Sequence, residues 1–284
     1  MKSRTEAAVR ESVAYLQDKA QEMRRRVLEM CIRCGGHLAS SFSCMEILVL
    51  LYQGGWLNIS PEAPENTERD HFLLSKGHAE TGFYAVLADC GFFPEEWLGV
   101  SYRCGDCRLG GHPDCKIPGV EITSGALGHG LGIGAGLAAA AKLDGKKNRQ
   151  VVLMGDAECT EGSVWEAAMF ASQQQLGTLV AIVDHNRIGS LDFTKNYAGL
   201  NDFAMKWRSF GWEVLEVDGH DMAQLDEAFK FAWSRNDPRP LMIVAETVKG
   251  KGLSFVENDP IWHVKGMCDP EDIRRAREEL GEGI

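Results

Sequence analysis

Two apolar runs, each turning polar at its C-terminal end, constrain this chain more than any other feature. Val151-Val-Leu-Met-Gly155-Asp156-Ala-Glu-Cys-Thr-Glu161-Gly162 opens as a buried strand and then turns polar; Leu179-Val-Ala-Ile-Val-Asp184-His185-Asn186-Arg187-Ile188 repeats the pattern. Between them, Ser163 to Gln175 has the composition and spacing of a helix. A strand, a helix and a second strand in that order make a parallel pair. Neighbouring strand ends then share one rim, where open α/β sheets bind ligands. Asp156 and Asn186 are expected there together. A carboxylate, a side-chain amide and a free backbone carbonyl are hard oxygen donors, which Mg²⁺ combines with waters and phosphate oxygens. The pattern therefore predicts a diphosphate held through a divalent metal.

The rest of the chain extends the alternation. Strands are expected near 150–154, 178–184, 212–217 and 240–246, with helices over 163–175, 201–209 and 221–234. This describes an α/β protein: a doubly wound, mostly parallel sheet with helices on both faces. Further upstream, residues 5 to about 33 read as an amphipathic helix, with Val9, Val13, Leu16, Ala20, Met23, Val27 and Met30 near helical spacing. Gly35-Gly36 should stop it. A short helix from Ser43 to Tyr52 follows, with Ser43 as its expected N-cap. Asn58 to Asp70 reads as loop, His71 to Ser75 as a strand, and the stretch to about Cys90 as a helix. Gly99 to Glu121 should be a long functional loop. A helix is expected over Ala126 to Leu143, with Gly128, Gly132 and Gly136 marking close backbone approach, and another over Pro270 to Leu280. No composition break divides residues 1–284, so a single domain is expected, with an N-terminal helical segment over 1–55 and a tail over 265–284.

Charge and composition remove several classes of function. Thirty basic residues against 41 acidic ones leave a net charge of −11, which argues against a nucleic-acid surface. The Gly-rich stretch 126–143, interrupted by His129, is a poor membrane span, and no apolar signal-peptide core opens the chain. The nine cysteines fit a reduced, cytoplasmic protein. Their spacing leaves one alternative open. Cys31-Ile-Arg-Cys34, or Cys104-Gly-Asp-Cys107 with His112 and Cys115, could form a zinc site in a non-catalytic assembly module.

Five of the eight histidines lie beside glycine: His37, His78, His112, His129 and His220. Glycine allows a sharp turn and close ligand approach. The place of these histidines at expected element ends, together with the metal-like carboxylate and amide, marks them as candidate site residues.

These stretches, taken in order, resemble the transketolases, specifically their N-terminal, diphosphate-binding part and the short subunit of two-chain forms. The resemblance is carried by Gly36-His37-Leu-Ala-Ser-Ser, Leu74-Ser-Lys-Gly-His78-Ala, Leu109-Gly-Gly-His112-Pro and Thr123-Ser-Gly125-Ala-Leu127-Gly-His129-Gly-Leu. It continues through Gly155–Gly162, Asp184–Ile188, Thr247-Val-Lys-Gly-Lys-Gly252 and His263. It implies thiamine diphosphate as cofactor and transfer of a two-carbon ketol unit between sugars. By the same resemblance, Asp156, Asn186 and the Ile188 carbonyl would hold Mg²⁺ or Ca²⁺, with Gly155 beside them. The Ala157 N–H would donate to a phosphate oxygen. His78 and His263 would contact the diphosphate and the reacting region; His37 and His112 would contact substrate oxygens. Gly125 and Leu127 would pack against the cofactor rings, and Glu161 and Glu166 would lie at the subunit contact.

Three departures qualify the match. Ala157 replaces the second glycine of the usual Gly-Asp-Gly, Leu38-Ala39 replaces Pro-Gly after His37, and His129 stands where many relatives have glutamine. The chain also ends before the family's pyrimidine-binding and C-terminal domains. A second subunit carrying those domains is therefore expected, in a two-plus-two heterotetramer acting on sugar substrates. Other thiamine-diphosphate enzymes, a deoxyxylulose-phosphate synthase fragment or a 2-oxo acid dehydrogenase subunit, are the near alternatives.

Overall fold

The computed structural model describes residues 11–281, apart from 101, 104, 105, 191 and 201. Within these, five strands form one fully parallel sheet. They are β1 (His71–Leu74), β2 (Gln150–Gly155), β3 (Leu179–His185), β4 (Glu213–Asp218) and β5 (Leu241–Glu246), in the spatial order β1-β2-β3-β5-β4. The three central strands are buried almost throughout, whereas the edge strand β4 is half exposed. That is why their sequences are continuous apolar runs rather than alternating ones.

Eleven helices accompany the sheet among the described residues. Before it come α1 (Val13–Cys34), α2 (Leu38–Phe42) and α3 (Met45–Tyr52); after β1 come α4 (Glu80–Asp89), α5 (Trp97–Val100) and α6 (Gly130–Leu143). The remainder are α7 (Gly162–Gln173), α8 (Thr194–Tyr197), α9 (Phe203–Ser209), α10 (Met222–Ser234) and α11 (Pro270–Glu279).

Alternate strand residues feed two cores. Phe72, Leu74, Val151, Leu153, Val180, Ile182, Leu241 and Ile243 face helices α1, α3, α4 and α10. Leu73, Val152, Met154, Ala181, Val183, Met242 and Val244 face α6, α7 and α9. The period of two along each strand places successive side chains on opposite faces, so both faces need helices. The doubly wound α/β expectation therefore agrees with the fold.

Several boundaries differ from the sequence reading. The first helix is described from Val13, with Ser12 capping it through a bond from the Tyr15 N–H, and Gly35 at φ +69° ends it. Residues 5–10, including Val9, lie outside the described residues. Ser43 does not cap α3. That helix begins after Cys44 with no side-chain cap, and the Ser43 hydroxyl instead donates to Asp184 at 2.6 Å. The Asp184 carboxylate accepts from the hydroxyl and Lys76 approaches the hydroxyl oxygen at 3.5 Å, so the side chain is aimed at the Lys76–Asp184 pair rather than at the N–H groups of the helix. The helix expected from Ala126 starts at Gly130, because Gly128 takes φ +83°. Gly132 and Gly136 have open space around them and make no close approach in this chain. Among the described residues, no helix is long and apolar enough to cross a membrane.

Helix α1 is tied to α2 and α3 by charge as well as by apolar packing. Arg24, almost fully buried, donates to both oxygens of Glu46 at 2.7 and 2.8 Å and to the Phe42 carbonyl at 3.0 Å. Burial alone would raise the Glu46 carboxyl, but Arg24 and His220 outweigh it and hold it below its usual range. Removing one partner of a buried pair strands the other charge, at a cost of about 3–5 kcal/mol. Arg24→Met should therefore lose about that much stability, read as a lower urea midpoint with unchanged slope; an unchanged midpoint would refute the assignment.

Candidate functional site

The C-terminal ends of β1, β2, β3 and β5 converge on a cavity of about 360 Å³. Its floor is set by one buried ion pair. Lys76, just after β1, reaches across the end of β2 to Asp184 near the end of β3; both side chains are fully buried. Asp184 also accepts from Ser43 at 2.6 Å, from the Asn186 amide at 3.0 Å and from Thr247. Lys76 donates in addition to the Ser40 carbonyl at 3.1 Å. Burial would push the lysine down and the carboxyl up. Each is moved the other way by its partner's charge, so the pair stays ionised.

On this floor stand Asp156 and Asn186. The parallel register pairs Gly155 with Asp184, which brings the two strand ends level. Arg187, at φ +62°, bends the chain so that its N–H donates to Asp156 Oδ2 at 2.7 Å, while Asp156 Oδ1 accepts from the Ala157 N–H at 2.8 Å. Asp156 is 1% exposed, and burial pushes its carboxyl up to about 6. The Asn186 amide nitrogen is committed to Asp184, which fixes its oxygen toward the Ile188 N–H at 3.0 Å. The Ile188 carbonyl accepts from Lys249 at 3.4 Å. A buried carboxylate whose hydrogen-bond partners are backbone N–H groups, beside an amide oxygen and a carbonyl, is the donor set a small divalent cation takes. Among the described residues no three His, Cys, Asp or Glu side chains group as metal ligands.

Four histidine rings close the other side of the cavity. His37 lies 5.7 Å from His112, 6.1 Å from His78 and 6.4 Å from His263, centroid to centroid, and His78 lies 5.4 Å from His263. They come from four separate segments: the turn before α2, the single 3₁₀ turn after β1, the loop before Gly125, and a second 3₁₀ turn, Pro260–His263. Burial first, and the neighbouring Lys76 and Lys249 next, hold the His78 ring well below the usual imidazole range. Burial and Lys249 lower His263 to about 3. Both rings are therefore neutral hydrogen-bonding groups at pH 7.

Gly125, Leu127, Gly155, Ala157, Glu161 and Ile188 line the same cavity, so the residues expected around the cofactor are gathered in one place. Glu166 is exposed on α7, outside the cavity. His129 stays at the surface, bonded through its ring to the Ala126 and Leu127 carbonyls, and His220 instead accepts from the Val248 N–H at 2.8 Å. Among the described residues the cysteines form no metal-ligand group. Cys31 is buried, Cys107 and Cys115 are exposed, and Cys104 lies outside the described residues.

Sequence reasoning missed three contributors. Lys249 is buried at the cavity's edge with Nζ 2.6 Å from His263 Nδ1; burial, with Lys76 nearby, lowers it to about 7. Glu158, also buried, accepts from the Gly128 and Gly155 N–H groups at 2.8 and 3.1 Å and from Ser75, locking the loop before α6 to the end of β2. Lys76 is visible in the sequence only as part of a motif. A charged residue within or beside an apolar stretch was the available signal in each case.

Known proteins share this fold. Residues 20–283 match the model of the transketolase, thiamine diphosphate binding domain. The chain is 40% identical over 268 residues to one subunit of the apulose-4-phosphate transketolase of Actinobacillus succinogenes, covering 93% of this chain and 95% of that one. It is 38% identical over 244 residues to a 6-deoxy-6-sulfo-D-fructose transketolase subunit of Clostridium sp., covering 85% and 88%. The transketolase structure from Campylobacter jejuni superposes with a TM-score of 0.85 at 27% identity, over 95% of this chain. The chain spans 43% of that longer protein. Family model, relatives and fold agree: the chain belongs to the transketolase family, as its N-terminal, thiamine diphosphate-binding domain.

Proposed function

We propose that this chain is the diphosphate-binding subunit of a two-chain transketolase, moving a two-carbon ketol unit from a ketose to an aldose. The single observation behind this reading is the meeting of Asp156 with the Asn186–Ile188 turn beneath four clustered histidines. Asp156, Asn186 and the Ile188 carbonyl would hold Mg²⁺ or Ca²⁺. Lys76 is already paired with Asp184, whereas Lys249, whose charged form burial disfavours, would gain its counter-charge from a diphosphate. The Ala157 N–H opens the short 3₁₀ turn after β2 and would turn to a phosphate oxygen.

Thiamine diphosphate, when bound, supplies the electron sink for breaking and forming the carbon–carbon bond. The protein's work is to bind, orient and move protons. His78 and His263, neutral and largely buried, would hold the diphosphate and reacting region by hydrogen bonds. His37 and His112, nearer the open side, would face the sugar's hydroxyl and carbonyl oxygens and shuttle their protons. Gly125 and Leu127, which line the cavity, would pack against the cofactor rings.

The rest of the enzyme would come from a second subunit carrying the pyrimidine-binding and C-terminal domains, two copies of each chain forming a cytoplasmic heterotetramer. The relatives' names, each a transketolase subunit, support this reading. So does the surface beside Glu161 and Glu166: Ile133 on α6 and Met169 and Phe170 on the adjoining α7 are 41%, 54% and 45% exposed. Residues 1–284 would then act as one cofactor-binding domain, with the segment 1–55 and the tail 265–284 packed on it. The names of the relatives point to anionic sugars, a phosphate in one and a sulfonate in the other.

Asp156→Ala removes the only charged donor of the proposed metal set. In the assembled two-chain complex with Mg²⁺, calorimetric titration of thiamine diphosphate should show no binding at concentrations that saturate the unaltered complex. Unaltered affinity would overturn the metal assignment. Ketol transfer from ketose to aldose should appear only when both chains are mixed. Met169→Glu with Phe170→Glu should raise the partner concentration needed for half-maximal rate by about tenfold or more, since buried anchors dominate interface energy. Equal titration curves would place the contact elsewhere.

A further inference from the structure

The proton relay at His37 has a support that the resemblance does not assign. Glu80 opens α4 and is fully buried, and its Oε1 lies 3.2 Å from His37 Nδ1. The same oxygen accepts the Tyr102 hydroxyl at 2.8 Å. Among the described residues, Glu80 Oε2 has no hydrogen-bond partner. A buried carboxylate with one oxygen doubly engaged and the other idle is costly to keep. Helix α4 gains nothing from it as a cap: no side-chain cap bond is made there.

The surroundings are built to admit this contact. Gly36, at φ +135°, leaves room that a Cβ would fill: such an atom would lie 2.5 Å from the Tyr102 hydroxyl. Tyr102 is itself fully buried, although it belongs to the long loop after α5, and burial together with Glu80 raises its phenol far above the usual range. It is thus a donor to Glu80. One turn further along α4, Tyr84 donates to the His112 carbonyl at 3.0 Å and packs 6.3 Å from the Tyr102 ring. One face of one helix therefore reaches both histidines on the open side of the cavity.

We propose that Glu80, held in place by Tyr102, is a positioning residue that fixes the tautomer of His37. This rests on the transketolase reading above for its consequence, though not for its geometry. A carboxylate can only accept, so His37 must present Nδ1–H to Glu80, and its lone pair is left on Nε2. When a sugar hydroxyl gives its proton to Nε2, the O–H bond breaks, an N–H bond forms, and the Nδ1 proton stays on the ring. The imidazolium so formed faces the Glu80 carboxylate. The logic is that of a buried carboxylate orienting a catalytic imidazole in acyl-transfer enzymes.

The test uses the full chain labelled with ¹⁵N-histidine, with the His37 signals assigned by their loss in His37→Asn. Long-range proton–nitrogen correlation should show Nδ1–H with a free Nε2. Glu80→Gln keeps the shape but lets an amide N–H donate to Nδ1, so the ring should shift toward the Nε2–H form. With the partner present, kcat should fall about tenfold or more, while KM for the ketose changes less than about threefold, because binding contacts are retained. Tyr102→Phe removes only a hydroxyl; it should broaden the preference between tautomers and lower kcat less, and it carries the test if Glu80→Gln does not fold. An unchanged His37 spectrum in the folded variants, or an unchanged kcat, overturns the proposal. If the unaltered pair of chains transfers no ketol unit, the functional reading falls, and the spectra still decide whether Glu80 sets the tautomer.

Discussion

The ion pair between Lys76 and Asp184 is the interaction on which the site depends. Taking two opposite charges out of water costs several kcal/mol each, offset only when attraction and hydrogen bonds are nearly complete. Here the surrounding partners are Ser40, Ser43, Asn186 and Thr247, drawn from three separate stretches of chain. Each of those stretches, and that of Lys76 itself, carries a residue of the site within a few positions: His37 before Ser40, His78 after Lys76, Asn186 after Asp184, and Lys249 after Thr247. Satisfying one buried pair therefore assembles most of the site.

The charges above that pair are arranged differently. Asp156 accepts from backbone donors, Lys249 meets a histidine nitrogen and a carbonyl, and both have their ordinary charge disfavoured by burial. A carboxylate in search of a cation thus sits beside an ammonium group in search of an anion. A metal diphosphate answers both requirements at once, which neither a bare cation nor a bare phosphate does. His78 and His263 stay neutral in such a site because the fixed charges do the electrostatic work.

Strand and helix types were legible because each core face imposes a period on the residues that build it. Val151 to Met154 and Val180 to Val183 alternate between two helical layers, and no other assignment buries both sets. The Asp156–Asn186 meeting was legible for the same reason, since parallel register leaves their strand ends level. The illegible features were chosen by distant partners. Ser43 was lost as a helix cap because a carboxylate far along the chain takes its hydroxyl. The helix expected from Ala126 begins only at Gly130, because Glu158 holds the Gly128 N–H in a turn at positive φ. Glu80 and Tyr102 carried no local signal, since one sits in a helix of ordinary composition and the other in a loop without periodicity.

Gly155 illustrates a separate kind of selection. A methyl group built there would meet only the Lys76 Cβ, at 4.0 Å, an ordinary contact, and its backbone is not in the left-handed region. Gly77, by contrast, could not take one without striking the backbone of Gly125 at 2.8 Å. The polypeptide itself would tolerate alanine at 155, but the methyl would take its volume from the cavity that this residue lines. On the cofactor reading proposed above, that residue would be small on behalf of a guest molecule rather than the host, part of the guest's outline being written into the chain as a side chain left out.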